Sequence, residues 1–149
     1  MTVSWLIDWI FSMEGIDGIT ISGGEPTDQM PSLISLLQRV RRLSGLSVIL
    51  FSGRTMNEIR SVPGGQELLS LTDVLIVGPY DPSKANPPGA WPASVNQNIC
   101  LLTGRYSLGD FDGIPHFEVF IDKRGGIIAS GMGGFTGSRV FGMGSDDHY

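Results

Sequence analysis

Three groups of residues in this 149-residue chain have types and spacings that could do chemistry. The first is Gly18-Ile19-Thr20-Ile21-Ser22-Gly23-Gly24-Glu25-Pro26. Ile19 and Ile21 alternate with Thr20 and Ser22, the pattern of a strand with a buried face. Gly23 and Gly24 let the backbone turn sharply and admit a ligand close to the main chain. Pro26 lacks an N–H and fixes the direction of exit. A glycine turn after a strand often cradles phosphate, but that chemistry needs free backbone N–H groups and a Lys or a helix N-terminus. Here the turn carries the anion Glu25, and the first basic residue is Arg39. A carboxylate beside exposed carbonyls suits a cation such as an ammonium group. The same residues also suit an ordinary strand-to-helix turn.

The second group comprises two further turns, Ser52-Gly53-Arg54 and Gly78-Pro79-Tyr80-Asp81. The third is the set of nucleophilic or metal-ligating side chains, Cys100, His116 and His148. Cys100 lies in the apolar run Ile99-Cys100-Leu101-Leu102-Thr103 and reads as an inert core thiol. His116 reads as structural.

The elements that position these groups follow from periodicity. Residues 2–13 read as a helix with Thr2 as N-cap and a buried stripe of Trp5, Leu6, Trp9, Ile10 and Met13, with Asp8 on the wet face. Residues 31–44 are the clearest helix. Leu33, Leu36, Leu37, Val40 and Leu43 line one face of it, and Arg39, Arg41 and Arg42 read as a solvated face. Leu46–Phe51 and Asp73–Val77 are nearly continuous apolar runs, as in parallel strands covered on both faces. Thr55 and Glu58 form a capping box for a helical segment that Pro63-Gly64-Gly65 interrupts. The order helix, strand, helix, strand, helix, strand builds a parallel sheet whose ligands bind at the carboxyl ends of the strands. All three polar turns fall on that rim. Residues 79–98 form a long loop with five prolines, and Asn96-Gln97 precede the next strand. Residues 116–122 and 126–130 flank Lys123-Arg124-Gly125 as a hairpin. Residues 131–149 are glycine-rich and read as a flexible tail behind a domain at 1–130.

Composition narrows the function classes. Ten Lys and Arg against fifteen Asp and Glu give 10 − 15 = −5, which argues against nucleic acid or an anionic membrane as partner. No apolar run is long enough to span a bilayer. No export signal is visible, and one cysteine excludes an internal disulfide framework. A cytoplasmic protein is the expectation.

Four stretches together resemble the radical S-adenosylmethionine (SAM) superfamily, specifically the small activating enzymes of anaerobic ribonucleotide reductase and pyruvate formate-lyase. They are Gly18–Pro26 with Gln29, Val48–Gly53, Asp73–Tyr80, and Asn96-Gln97 with Leu102-Thr103-Gly104-Arg105-Tyr106. Glu118-Val119 and Gly131 resemble the terminal hairpin of these proteins, and the resemblance covers residues 3–132. It implies an α/β fold, a partial parallel (β/α) barrel with a C-terminal β-hairpin. It implies SAM as cofactor, with the methionine ammonium on Glu25 in the turn Gly23, Gly24, Glu25, Pro26. Ser52 and Gly53 would lie near the methionine carboxylate or the ribose.

The chain departs from the family in one respect. The family holds a [4Fe–4S] cluster on a Cys-x-x-x-Cys-x-x-Cys loop that follows a first strand, and here neither that strand nor the loop precedes residues 2–13. Cys100 is the only thiol, and His116 and His148 do not replace three thiolates. The resemblance therefore implies a radical SAM activating enzyme in a longer form. That form would cleave SAM reductively and generate a glycyl radical on a partner enzyme. The 149 residues alone are expected to be inactive. The alternative is a non-catalytic module that binds SAM or a partner, and an unrelated α/β metabolite binder is a third reading. The open edge of strand 18–23 is expected to lead to dimerisation, poor solubility or a longer native chain.

Overall fold

In the computed structural model, residues 2–87 and 90–112 are described in full, together with the backbones of two strands at 118–121 and 127–130. The elements run in the order α1 (Val3–Phe11), β1 (Gly18–Ile21), α2 (Met30–Leu43), β2 (Ser47–Ser52), α3 (Met56–Ser61), α4 (Gly65–Ser70), β3 (Val74–Val77) and β4 (Asn98–Leu101). The pair β5 (Glu118–Ile121) and β6 (Ile127–Ser130) follows.

Local signals explain the boundaries. The Thr2 hydroxyl accepts the Trp5 amide and caps α1. Thr55 and Glu58 form the expected capping box on α3. A break at Val62-Pro63-Gly64 separates α3 from α4, because Pro63 cannot donate an amide to the preceding turn.

The main sheet has the order β1-β2-β3-β4. The pairs β1–β2 and β2–β3 are parallel, and β3–β4 is antiparallel. The three strands expected to be parallel are so, and β4 adds an antiparallel strand, so that among the described residues the sheet is mixed and not closed into a barrel. A parallel return would have to cross to the far end of the sheet. Instead the chain between β3 and β4 stays at the end where β3 stops. Ala85 bridges Ser94, and the Gln97 side chain donates to the Gly78 carbonyl at 3.1 Å. β4 therefore starts beside the end of β3, with Val77 opposite Asn98. The hairpin expectation holds: β5 and β6 pair antiparallel, Glu118 with Ser130. The readings of His116, His148, Gly131 and the tail 131–149 fall outside the described residues.

Both faces of the sheet are covered. On one face Val48, Leu50, Leu75 and Val77 meet Leu33, Leu37 and Val40 of α2, Ile59 of α3 and Leu68 of α4. Each such side chain contributes about 1.5–3 kcal/mol on full burial. On the other face Val74 and Ile76 pack with Phe111, and Ile49, Phe51, Ile99, Trp91 and Tyr106 join them. Trp91 bridges Phe51 and Phe111, with ring centroids 5.2 and 5.8 Å apart.

The α1 stripe differs from expectation. Ile7 and Ile10 are buried, whereas Trp5 is 54% and Trp9 49% exposed, and Met13 is exposed too. α1 rests on α2 through the Val3, Ile7, Ile10 side, and the two indoles lie on the opposite side. Three- and four-residue spacing fits either stripe, so periodicity alone chose the bulkier one. Leu43, at the C-terminal end of α2, is likewise exposed.

Arg41 is not part of a solvated face. Its guanidinium donates to Asp73 Oδ2 at 2.8 Å, and Asp73 is 1% exposed. Asp73 also accepts the Val48 amide and the Thr103 hydroxyl, both at 2.8 Å. Burial opposes its ionisation, yet these donors and the nearby guanidinium outweigh burial and hold the carboxyl below its ordinary value. Tyr106 bonds Ser47 at 2.6 Å, and Arg105 donates to the Gly45 carbonyl at 2.6 Å. Asp73 and Ser47 begin at the amino ends of the strands, so the Thr103–Tyr106 segment locks the sheet opposite the candidate rim.

Candidate functional site

The carboxyl ends of β1, β2 and β3 converge on Glu25. Gly23 and Gly24 have φ values of 87° and 57°, in the left-handed region where a side chain is strained. They reverse the chain so that Glu25 faces the end of β2. Glu25 also caps a 3-10 turn at Pro26–Gln29 by accepting the Thr27 amide at 3.1 Å. Its Oε1 accepts the hydroxyls of Thr27 and Ser52, and its Oε2 accepts the Gly53 amide at 2.8 Å. Burial raises the Glu25 pKa, but the hydroxyls of Thr27 and Ser52 and the amides of Thr27 and Gly53 outweigh it. The net result lies below the ordinary carboxylate value, so Glu25 is an anion at neutral pH.

Of the six residues singled out in the sequence, Ser52 and Gly53 bond the Glu25 carboxylate, and Gly23 and Gly24 form the turn that leads to it. Pro26 is buried at the start of the 3-10 turn. Space beside Gly23 and Gly24 is open, since a Cβ added to either meets nothing within 4 Å.

The third turn closes the rim. A Cβ at Gly53 would lie 3.5 Å from Glu25 Oε2 and 4.0 Å from the Pro79 Cα, so all three strand ends meet there. Gly78 has φ 105°, and a Cβ there would lie 2.9 Å from the Asn96 carbonyl oxygen. Asn96 Nδ2 donates to the Pro79 carbonyl at 2.6 Å. Asn96 and Gln97, which carried no contact in the sequence reading, thus brace the Gly78-Pro79 turn. Asn96 Oδ1 is buried without a partner among the described residues. A groove of about 370 Å³ opens beside it, lined by Thr55, Met56, Asn57, Gly78, Pro79 and Asn98 among others.

Sequence reasoning missed Thr27 and Asp28, and named Arg54 only as part of the second turn, without a partner. Arg54 Nη2 bonds Asp28 Oδ1 at 2.6 Å and spans the first two turns. A residue two positions after a turn carboxylate and able to donate to it, as Thr27 is, was a readable signal. The Asp28–Arg54 pairing was not, because it depends on how the turns meet in space.

The resemblance read from the sequence implies a [4Fe–4S] cluster, whose iron takes cysteine thiolates. Cys100 is the single cysteine of the chain, and it is half-buried on β4. Burial pushes its thiol up, more than the nearby Arg60 lowers it. Among the described residues no three His, Cys, Asp or Glu side chains group to hold a metal ion. The residues present do not fit a cluster.

Comparison with known proteins places this rim in a family. The family model described as "4Fe-4S single cluster domain" matches residues 6–100, which hold β1 to β3, the Glu25 carboxylate and its partners. The anaerobic ribonucleoside-triphosphate reductase-activating protein of Pasteurella multocida (strain Pm70) is 29% identical over 89 residues, 58% of this chain and 56% of that relative. The chain thus matches little more than half of the relative's length. No solved structure matches the chain. Among the described residues no helix is long and apolar enough to cross a membrane. The chain belongs to the 4Fe-4S single cluster domain family, and within it to the activating-enzyme-like radical SAM proteins that its sequence resembles.

Proposed function

We propose that this chain carries the SAM-binding rim of an activating-enzyme-like protein that acts on a partner enzyme. The observation that carries the proposal is the Glu25 carboxylate, held ionised where β1 and β2 end. Its Oε2 accepts one protein donor, the Gly53 amide, and retains lone pairs for an ammonium group. Gly23 and Gly24 leave room for the methionine moiety. Ser52 and Gly53 fix the carboxylate and border the space that the rest of the cofactor would fill. The barrel reading belongs here too: the parallel strands β1, β2 and β3 would form consecutive strands of a partial barrel once a preceding strand pairs with the free edge of β1.

SAM supplies a sulfonium whose reductive cleavage gives the radical chemistry of activating enzymes. That reduction needs cluster iron, and these 149 residues do not ligate it. The chain on its own is proposed to bind SAM without cleaving it. Generation of a glycyl radical on a ribonucleotide reductase-like partner is the role proposed for the protein when cluster ligands are supplied from outside these residues. The relative's name motivates that partner class.

Equilibrium dialysis of the folded chain with radiolabelled SAM tests the proposal. Saturable binding that Glu25→Gln abolishes is expected. A folded chain that takes up no SAM sinks it.

A further inference from the structure

The first two turns of the rim bring an anion and a cation to the same place. Glu25 is kept ionised by hydroxyl and amide donors, and among the described residues no Lys or Arg pairs with it. Arg54 directly follows Gly53, whose amide is the donor on Glu25 Oε2. The backbone of Arg54 is fixed on both sides. Its amide donates to Ser52 Oγ at 3.1 Å, and its carbonyl accepts the Gly78 amide at 3.0 Å. Its side chain reaches across to the first turn, where Nη2 donates to Asp28 Oδ1 at 2.6 Å. The Asp28 amide in turn donates to the Glu25 carbonyl at 3.0 Å. The guanidinium is therefore tied to the Glu25 turn through its own chain on one side and through Asp28 on the other. The other cation near a rim turn, Lys84, belongs to the third turn and is paired within it with Asp81 at 3.3 Å.

An α-amino acid carries an ammonium and a carboxylate on one carbon, so a site for it needs an anion and a cation on adjoining segments. Glu25 supplies the anion. Arg54 can supply the cation at little cost. Its side chain is 33% exposed and that of Asp28 62%, and an exposed ion pair contributes little to stability. Asp28 receives one guanidinium donor, Nη2, whereas a guanidinium can grip a carboxylate with two parallel donors. Exchanging Asp28 for a ligand carboxylate thus keeps the charge pairing and can add a bond. We propose that Arg54 is the specificity-determining residue of the rim: it leaves Asp28 and takes the carboxylate of the methionine moiety, while Glu25 holds the ammonium. This assignment rests on the SAM reading of Glu25 and adds to it the group that rejects ligands lacking a carboxylate.

Decarboxylated SAM keeps the ammonium, the sulfonium and the adenosine and lacks only the carboxylate. It carries one more positive charge than SAM, so an anionic chain would favour it on charge alone. Equilibrium dialysis of the 149-residue chain against each compound is the test. The parent is expected to hold SAM at least about tenfold more tightly than decarboxylated SAM. Arg54→Met should weaken SAM about tenfold and leave decarboxylated SAM as it was, which removes the preference. Arg54→Lys keeps the charge without the fork and should recover part of it. Asp28→Asn removes the competing carboxylate and should bind SAM at least as tightly as the parent. Far-ultraviolet circular dichroism checks that each variant is folded. Equal binding of the two compounds by the parent overturns the proposal and leaves the SAM reading standing. A preference that survives in Arg54→Met also overturns it. So does an equal loss of both compounds in Arg54→Met and in Asp28→Asn, which would make the ion pair a structural brace. A folded parent that binds neither compound overturns the SAM reading itself, and this proposal with it.

Discussion

The Glu25 carboxylate accepts the Ser52 hydroxyl at 2.8 Å across 27 positions of sequence. This bond, with the Gly53 amide on the other oxygen, makes the ends of β1 and β2 one rigid rim. Replacing Glu25 by Gln keeps one acceptor and turns the other into a donor facing the Gly53 amide. A loss of about 1 kcal/mol in urea unfolding is expected, toward the low end for bonds to a charged group because Glu25 is partly solvated. A Glu25→Gln chain as stable as the parent would mean the clasp does not order the rim.

Acid should unfold the chain through Asp73. Its carboxyl is held below the ordinary value in the folded chain, so the unfolded chain binds more protons in the interval between the two values. The stability it contributes is full above about pH 4 and is lost as pH falls through the depressed folded value. Asp73→Asn should flatten this part of the profile and cost about 3 kcal/mol at pH 7, because the Arg41 guanidinium loses its anion. Urea midpoints measured from pH 2 to 7 check both statements.

Gly78→Ala should be among the most damaging single-methyl changes at the rim. The backbone there has φ 105°, and the new Cβ would meet the Asn96 carbonyl oxygen at 2.9 Å. A cost of about 1–3 kcal/mol is expected. Gly23→Ala is the control, since it has open space around it and carries only the left-handed strain. Thermal melts that rank the two the other way round would contradict the packing at Asn96.

Cys100 should be slow to react. Its thiol lies above the ordinary value, and the thiolate is both the nucleophile and the metal ligand. Alkylation by iodoacetamide at pH 7 is expected to run slower than for free cysteine. Anaerobic incubation with iron and sulfide should give no [4Fe–4S] absorption. Formation of a stable cluster on this chain would show that the donor set had been misread.

Much of the architecture was readable because it rests on local interactions. The Thr2 and Thr55 caps, the break at Pro63, the apolar runs of β2 and β3 and the glycine turn before Glu25 are each set by neighbours in sequence. The side of α1 that is buried was not readable. Trp5 and Ile7 are both large apolar residues at helical spacing, and the position of α2 decides between them. The direction of β4 depends on where the chain from Gly78 to Gln97 is tethered, a property of contacts between Gln97 and Gly78 and between Ala85 and Ser94.

The sequence by itself determined the elements, their order, and the presence of an anionic glycine turn at a strand end. It also determined that one cysteine cannot replace three thiolates. Only the tertiary structure decided that Glu25 meets Ser52 and Gly53, that Arg41 serves the buried Asp73, and that Trp5 and Trp9 face outward. The physical reason is range: caps, turns and periodicity act within a few residues. Hydrogen bonds such as Glu25–Ser52 and Arg41–Asp73 join groups about thirty positions apart, and they exist only after the sheet has brought those groups together.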